Sequence, residues 1–256
     1  MYFEEGWSVF GKKNGKVESL LYSGDREKIL AMVREMGSMA SEAFRLAVQS
    51  LEERDDALAE RVIEEDDAID DLEATIDHEC LCSIAMRQPV REDLRFVFAV
   101  LKIITDLERI GDQGVNIAKK ARVLNRYPLL KPLVDIPKMK IIATEMVADS
   151  LKAFEENDTL LAEEICMRDE ELDKLYDCIF DELIGILGKK PEGDQATAQC
   201  AAGLLWVARH LARIGDHATN VAERVYFMVK GERLKPLIEA KKKALQAKFE
   251  ENGFPH

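Results

Sequence analysis

Carboxylates set four residues apart are the chemistry-bearing feature of this chain. Asp66 and Asp70, Glu108 and Asp112, and Asp169 and Asp173 share that spacing. On a helix, residues i and i+4 lie one above the other on the same face. Like charges so placed cost roughly 0.2–0.5 kcal/mol per pair even in solvent. Where pairs on neighbouring helices converge, the group must take up protons or bind a cation. Carboxylate oxygens alone are hard donors, suited to Mg²⁺, Ca²⁺, Mn²⁺ or iron more than to a closed zinc site. Taken singly, such pairs are also the ordinary solvated face of an amphipathic helix. Their recurrence beside a shared Arg-Ile-Gly-Asp core favours the cation.

That core occurs twice. Leu101–Ala121 reads LKIITDLERIGDQGVNIAKKA and Leu204–Ala222 reads LLWVARHLARIGDHATNVA. Arg109 and Arg213, Asp112 and Asp216, and Asn116 and Asn220 all stand 104 residues apart. Upstream, Ala59–Leu72 aligns with Ala162–Leu175 at an offset of 103, pairing Asp66 with Asp169 and Asp70 with Asp173. The chain is a tandem duplication. Gly111 and Gly215 fall mid-helix, where glycine costs about 1 kcal/mol against alanine, so close approach of a helix or ligand is expected there. Arg109 and Arg213 precede Asp112 and Asp216 by three residues, a spacing for local ion pairs. Asn116 and Asn220 extend the same face by a turn, as groups that support ligands or meet a neighbouring helix. His217 adjoins Asp216 and either reaches a metal or packs between helices. The copies differ at one telling place: Ala212 stands where Glu108 predicts an acid, and His210 stands opposite Asp106.

Other chemistry is weaker. His78, Cys80 and Cys82 offer zinc-binding atoms, but on a helix Cys80 points away from the other two. No Glu-x-x-His pair accompanies the carboxylates, which speaks against a di-iron oxidase of the ferritin type. Phosphate-binding loops, nucleophile elbows and dinucleotide fingerprints do not occur, and no catalytic residue is expected. Trp206 reads as a core residue.

The elements that must position these groups are helices. Charged residues make up 33 % of the 256 and aromatic residues only 7 %, a balance that suits long helices better than a sandwich or barrel. Apolar runs are broken by charges, as Lys102 breaks the one from Phe96, so no bilayer span is expected. The opening MYFEEGWSVFGKK places acids before any apolar run, and no secretory leader is expected. Five cysteines without framework spacing favour a reducing compartment, and the chain is expected in the cytoplasm. The net charge of −13 is concentrated: Glu52–Glu73 holds 12 acids and 2 arginines, and Glu155–Asp173 holds 9 acids and 1 arginine. That map argues against nucleic acid and for cations or basic partner surfaces.

Apolar stripes at spacings of three and four predict an all-α fold, two tandem three-helix bundles of six long helices related by duplication. Residues 1–24 form an N-terminal extension with a hairpin signal at Asn14-Gly15. The first bundle spans 25–126, its second helix running from about Leu58 to Met86 and its third from about Arg91 to Asn125. A linker covers 127–136, in a stretch that carries Pro128, Pro132 and Pro137. The second bundle spans 137–230, and 231–256 is a basic C-terminal tail.

The two copies LERIGDQGVNIA and LARIGDHATNVA resemble the signature of the PhoU family of phosphate-transport regulators. DDAIDDLEATI and DEELDKLYDCI resemble its second-helix motif. The likeness covers about residues 25–230 and recurs at the right separation, while the first 24 residues have no counterpart. It implies iron or zinc clusters on paired carboxylate motifs. The ligands would be Asp66, Asp70, Glu108 and Asp112, then Asp169, Asp173 and Asp216; magnesium and manganese stay open from the donor chemistry. It also implies a homodimer that restrains the phosphate transporter, through its ATPase subunit, and the phosphate-sensing histidine kinase. Such a protein would meet the membrane only through its partners. The expected function is therefore a non-catalytic, metal-binding regulator of phosphate uptake and signalling. The alternative is a carboxylate-bridged protein that stores or oxidises iron.

Overall fold

The computed structural model describes residues 23–188 and 194–251. Among them run eight helices and no strand: α1 (Ser23–Glu53), α2 (Asp56–Glu64), α3 (Asp67–Arg87), α4 (Glu92–Leu124), α5 (Asp135–Glu156), α6 (Thr159–Leu187), α7 (Gln195–Lys230) and α8 (Lys235–Glu251). No helix of the described residues is long and apolar enough to cross a membrane. The hairpin signal at Asn14-Gly15 lies outside the described residues.

The duplication is visible in the backbone. Asp55 caps α2 by accepting from the Ala57 and Leu58 amides, and Asp158, 103 residues on, caps α6 through Leu160 and Leu161. The residue before each cap, Arg54 and Asn157, takes a left-handed conformation that ends the preceding helix. In α1, Ile29, Val33, Met36, Ala40, Phe44, Ala47 and Leu51 recur at helical spacing and are buried.

Two expectations need correction. The single second helix of the first bundle is two helices, α2 and α3, broken at Glu65 and Asp66. The chain tightens there: Ala68 N–H bonds Glu65 O and Ile69 N–H bonds Asp66 O, three residues apart instead of four. Glu64, Glu65, Asp66 and Asp67 are four acids in a row, and their repulsion opposes one helical turn. The second copy reads Met-Arg-Asp-Glu at 167–170, Arg168 bonds Asp149 at 2.8 Å, and α6 runs through unbroken. Second, the basic tail contains α8. Gly231, at φ 75°, ends α7, and Leu234 and Ile238 are then buried four residues apart. Pro137, at the predicted start of the second bundle, sits in the first turn of α5, where helical amides have no internal acceptor to lose.

The linker between α4 and α5 is irregular and held to the first bundle. Asn125 donates to Asp56 Oδ1 at 2.8 Å and Arg54 donates to Tyr127 O at 2.9 Å. Helices α4 and α7 pack on each other as well as on their own bundles, so one continuous hydrophobic core serves both. Phe96 of α4 stacks on Phe154 of α5 at 5.9 Å across that junction. Glu52 and Glu155, equivalent in the repeat, each tie α1 to α5, through Lys140 and Arg34 respectively.

Candidate metal centres and the seam between repeats

The bend between α2 and α3 brings Asp66 against α4. A Cβ on Gly111 would lie 2.8 Å from Ile69 Cδ1 and 3.7 Å from Asp66 Oδ1. At Gly215 the same atom would lie 2.6 Å from Leu172 Cδ1 and 3.0 Å from Asp169 Oδ1. Both glycines therefore admit the helix that carries the aspartates. This is the close approach expected of them.

In the first bundle, burial raises the Asp66 pKa, with the charges of Asp70 and Asp112 adding to it. Glu108 is pushed up to about 7, first by burial and then by Asp112, against the pull of Arg109. Arg109 answers these charges: its Nη1 lies 2.8 Å from Asp112 Oδ2 and its Nε 3.2 Å from Glu108 Oε2. Glu108 Oε2 is nonetheless buried without a hydrogen bond. In the second bundle, burial followed by Asp216 and Asp173 raises Asp169 to about 6. Asp173 is raised by burial and by Asp216. Ala212, at the position of Glu108, is buried at 3 % exposure and leaves that set one acid short.

The second set has a counter-charge absent from the sequence reading. Lys242 of α8 bonds Glu170 at 3.1 Å and draws the Asp169 and Asp173 pKa values down. Lys235 and Lys242 line a cavity of about 410 Å³ with Asp169 and Asp216. Among the described residues, no three His, Cys, Asp or Glu side chains stand converged as a ready metal shell. The first set fits a hard cation in donor type. Its acids are close enough to raise one another's pKa, and it holds a buried oxygen that makes an ion pair with Arg109 but no hydrogen bond.

The supporting residues divide. Arg109 bridges its two acids as its spacing requires. Arg213 and Asn116 are exposed, and among the described residues no hydrogen bond or ion pair joins either to the carboxylates. His217 and Asn220 face the other repeat: His217 Nδ1 and Asn220 Nδ2 each lie 2.9 Å from Asp106 Oδ1. His210 Nδ1 lies 2.8 Å from Gln113 Oε1, so it carries the proton that this carbonyl oxygen accepts. Burial and the nearby Arg213 push His210 down to about 4.

These pairs obey the repeat. Position 106 is equivalent to 210 and 113 to 217, so 106 meets 217 just as 113 meets 210. That exchange of partners is the mark of an approximate two-fold axis between antiparallel α4 and α7. The sequence reading missed Asp106 and Gln113 as contact residues, although the offset of 104 contained the signal. Trp206, expected in the core, is 55 % exposed, stacked on His210 at 5.7 Å. Cys80 is buried with its thiol pushed up to about 12, while Cys82 contacts His78 at 3.5 Å.

The model of the PhoU domain matches residues 33–121 and again 136–225. The chain belongs to the PhoU family. It is 37 % identical over 215 residues to the phosphate-specific transport system accessory protein PhoU homolog of Clostridium acetobutylicum, covering 84 % of this chain and 96 % of that one. The homolog of Aquifex aeolicus is 40 % identical over 209 residues, covering 82 % and 93 %. Among solved structures, PhoU from Pseudomonas aeruginosa superposes with a TM-score of 0.78 at 31 % identity, over 83 % of this chain and all of that one. Both matched PhoU repeats contain one of the carboxylate sets, and their matched spans meet across the α4–α7 seam.

Proposed function

We propose that this chain is a non-catalytic accessory protein of phosphate uptake, restraining the transporter and the phosphate-responsive signal when phosphate is plentiful. The observation that carries the reading is the match of both repeats, over spans that hold the acid sets, to a family whose relatives are named as accessory proteins of phosphate-specific transport. Its partners are the transporter ATPase subunit and the sensor histidine kinase, met in the cytoplasm by a homodimer. The acid-rich faces suit basic surfaces on those partners, because exposed charge of one sign steers its opposite.

We further propose that the first set, Asp66, Asp70, Glu108 and Asp112, holds iron or zinc, with manganese or magnesium as hard-ion alternatives. Glu108 Oε2, buried with only the Arg109 ion pair beside it and no hydrogen bond, supports this reading. The second set, Asp169, Asp173 and Asp216, binds more weakly, for it lacks one acid and has Lys242 beside it. Bound metal supplies positive charge to the cluster, and no redox turnover is assigned to it.

Deleting the gene should switch on a phosphate-starvation reporter in phosphate-rich medium, and restoring it should switch the reporter off. An unaffected reporter would sink the regulatory reading. Elemental analysis of protein purified without chelator tests the metal separately, with Asp66→Asn/Asp112→Asn expected to lose metal. Catalytic oxidation of ferrous iron under air would favour the iron-handling alternative instead.

A further inference from the structure

We propose that the cavity at the elbow between α7 and α8 binds a nucleoside phosphate. It measures about 590 Å³, within the range of small-molecule sites. Most of its lining follows residue 225, where the second family match ends, so neither the family reading nor the metal proposal supplies it.

The wall carries three kinds of group. Arg224, Arg233 and Lys235 bring cations, and among the described residues none has an ion-pair or hydrogen-bond partner. The Arg224 Nε is fully buried with no acceptor. That Nε is out of reach of a ligand, so the cavity-facing part of the guanidinium is what meets an anion, and its planar fork matches phosphate oxygens. Phe98 and Phe227 bring an aromatic corner, their rings 6.2 Å apart at 64°. Phe98 is 44 % exposed, leaving a face on which a base can stack. Glu223 and Glu239 bring acceptors.

Those two acids decide the ligand class. Inorganic phosphate would satisfy the cations but leave the rings and the carboxylates unused. A nucleoside would use the rings and carboxylates and leave the cations unpaired. A nucleoside phosphate uses all three: phosphate on the cations, ribose hydroxyls donating to a glutamate, and base against the phenylalanines. Carboxylates that accept from ribose hydroxyls are a recurring device of nucleotide sites.

Titration calorimetry of the full chain with AMP, ADP, ATP, adenosine and inorganic phosphate tests this directly. At least one adenine nucleotide should bind saturably, with adenosine and inorganic phosphate at least tenfold weaker. Phe98→Ala and the surface pair Arg233→Gln/Lys235→Gln should each weaken it at least tenfold while helicity by circular dichroism is unchanged. Arg224→Gln should do the same. Absence of saturable nucleotide binding would overturn the proposal. So would inorganic phosphate binding as tightly as the nucleotides, or affinity unchanged in both Phe98→Ala and the surface pair.

Discussion

Glu108→Gln should stabilise the metal-free protein, although it removes a charge from a site built of charges. In the fold Glu108 titrates at about 7, against an ordinary 4.5, because burial and Asp112 disfavour its ionised form. A group whose folded pKa is raised contributes stability that is full below its unfolded pKa and is lost as pH rises through the folded value. The loss therefore falls between pH 4.5 and 7, and above that window the ionised Glu108 is a standing penalty. At about 1.4 kcal/mol per pH unit, and reduced for screening through the half-exposed Arg109, the penalty is about 2 kcal/mol. Glutamine keeps the shape and carries no charge to desolvate.

Urea unfolding at pH 6, 7 and 8 in chelator and constant salt measures the difference, clear of a pI near 4.9. The variant should be more stable at pH 8 by about 2 kcal/mol, and the gap should narrow by about 1 kcal/mol at pH 6, where much of the wild-type Glu108 is protonated. Saturating divalent cation should reverse the order, since a cation stabilises the form that holds it better. Parallel curves across this pH range, or a glutamine variant less stable at pH 8, would refute the reasoning.

Gly215→Ala should destabilise by about 1–3 kcal/mol, because its Cβ meets Leu172 at 2.6 Å and an Asp169 oxygen at 3.0 Å. Gly111→Ala should cost less, its nearest contacts being 2.8 and 3.6 Å; the two urea midpoints decide. His210 is held down to about 4 by burial, so its stabilisation is present above its ordinary 6.5 and lost as pH falls. Thermal unfolding should thus show wild type losing stability relative to His210→Gln between pH 6.5 and 5.5. Lys242→Ala should raise the Asp169 pKa above about 6, since the ammonium now lowers it; carboxyl NMR titration with an unchanged value would refute the role given to α8.

Much of the fold was legible because its signals are local. Asp55 and Asp158 announce helix starts, prolines mark the linker, and apolar spacing sets the buried face of α1. The break at Asp66 was harder to read, because the same stripe of Leu58, Val62, Ile69 and Leu72 persists across it. The decisive feature was four consecutive acids against an Arg-containing run in the other copy. Helix α8 was missed because only Leu234 and Ile238 reveal a buried face in a stretch otherwise rich in lysine. The acid pairs themselves were evident from spacing, and Gly111 and Gly215 correctly marked where their helices touch. The direction of His217 and Asn220 was not, because a helix face is specified locally but the element it meets is set by how the bundles dock.

That docking allows the two copies to differ at the seam. The two-fold seam needs complementary pairs at 106 with 217 and at 113 with 210, and an unmodified duplicate would repeat one pair twice. Here one end is carboxylate with histidine and asparagine, the other amide with neutral histidine, and both remain hydrogen-bonded. The seam therefore tolerates divergence without leaving a buried group unpaired, the outcome that would cost most. Away from the seam, the absence of an acid at 212 and the presence of Lys242 both move the second set toward neutrality. The first set has four acids against Arg109, with Lys119 also acting on Asp66, and so holds one acid more than the second. Duplication has thus produced two acid sets at equivalent positions with unequal electrostatics, so the metal proposal predicts that the two bundles respond to a common cation at different concentrations.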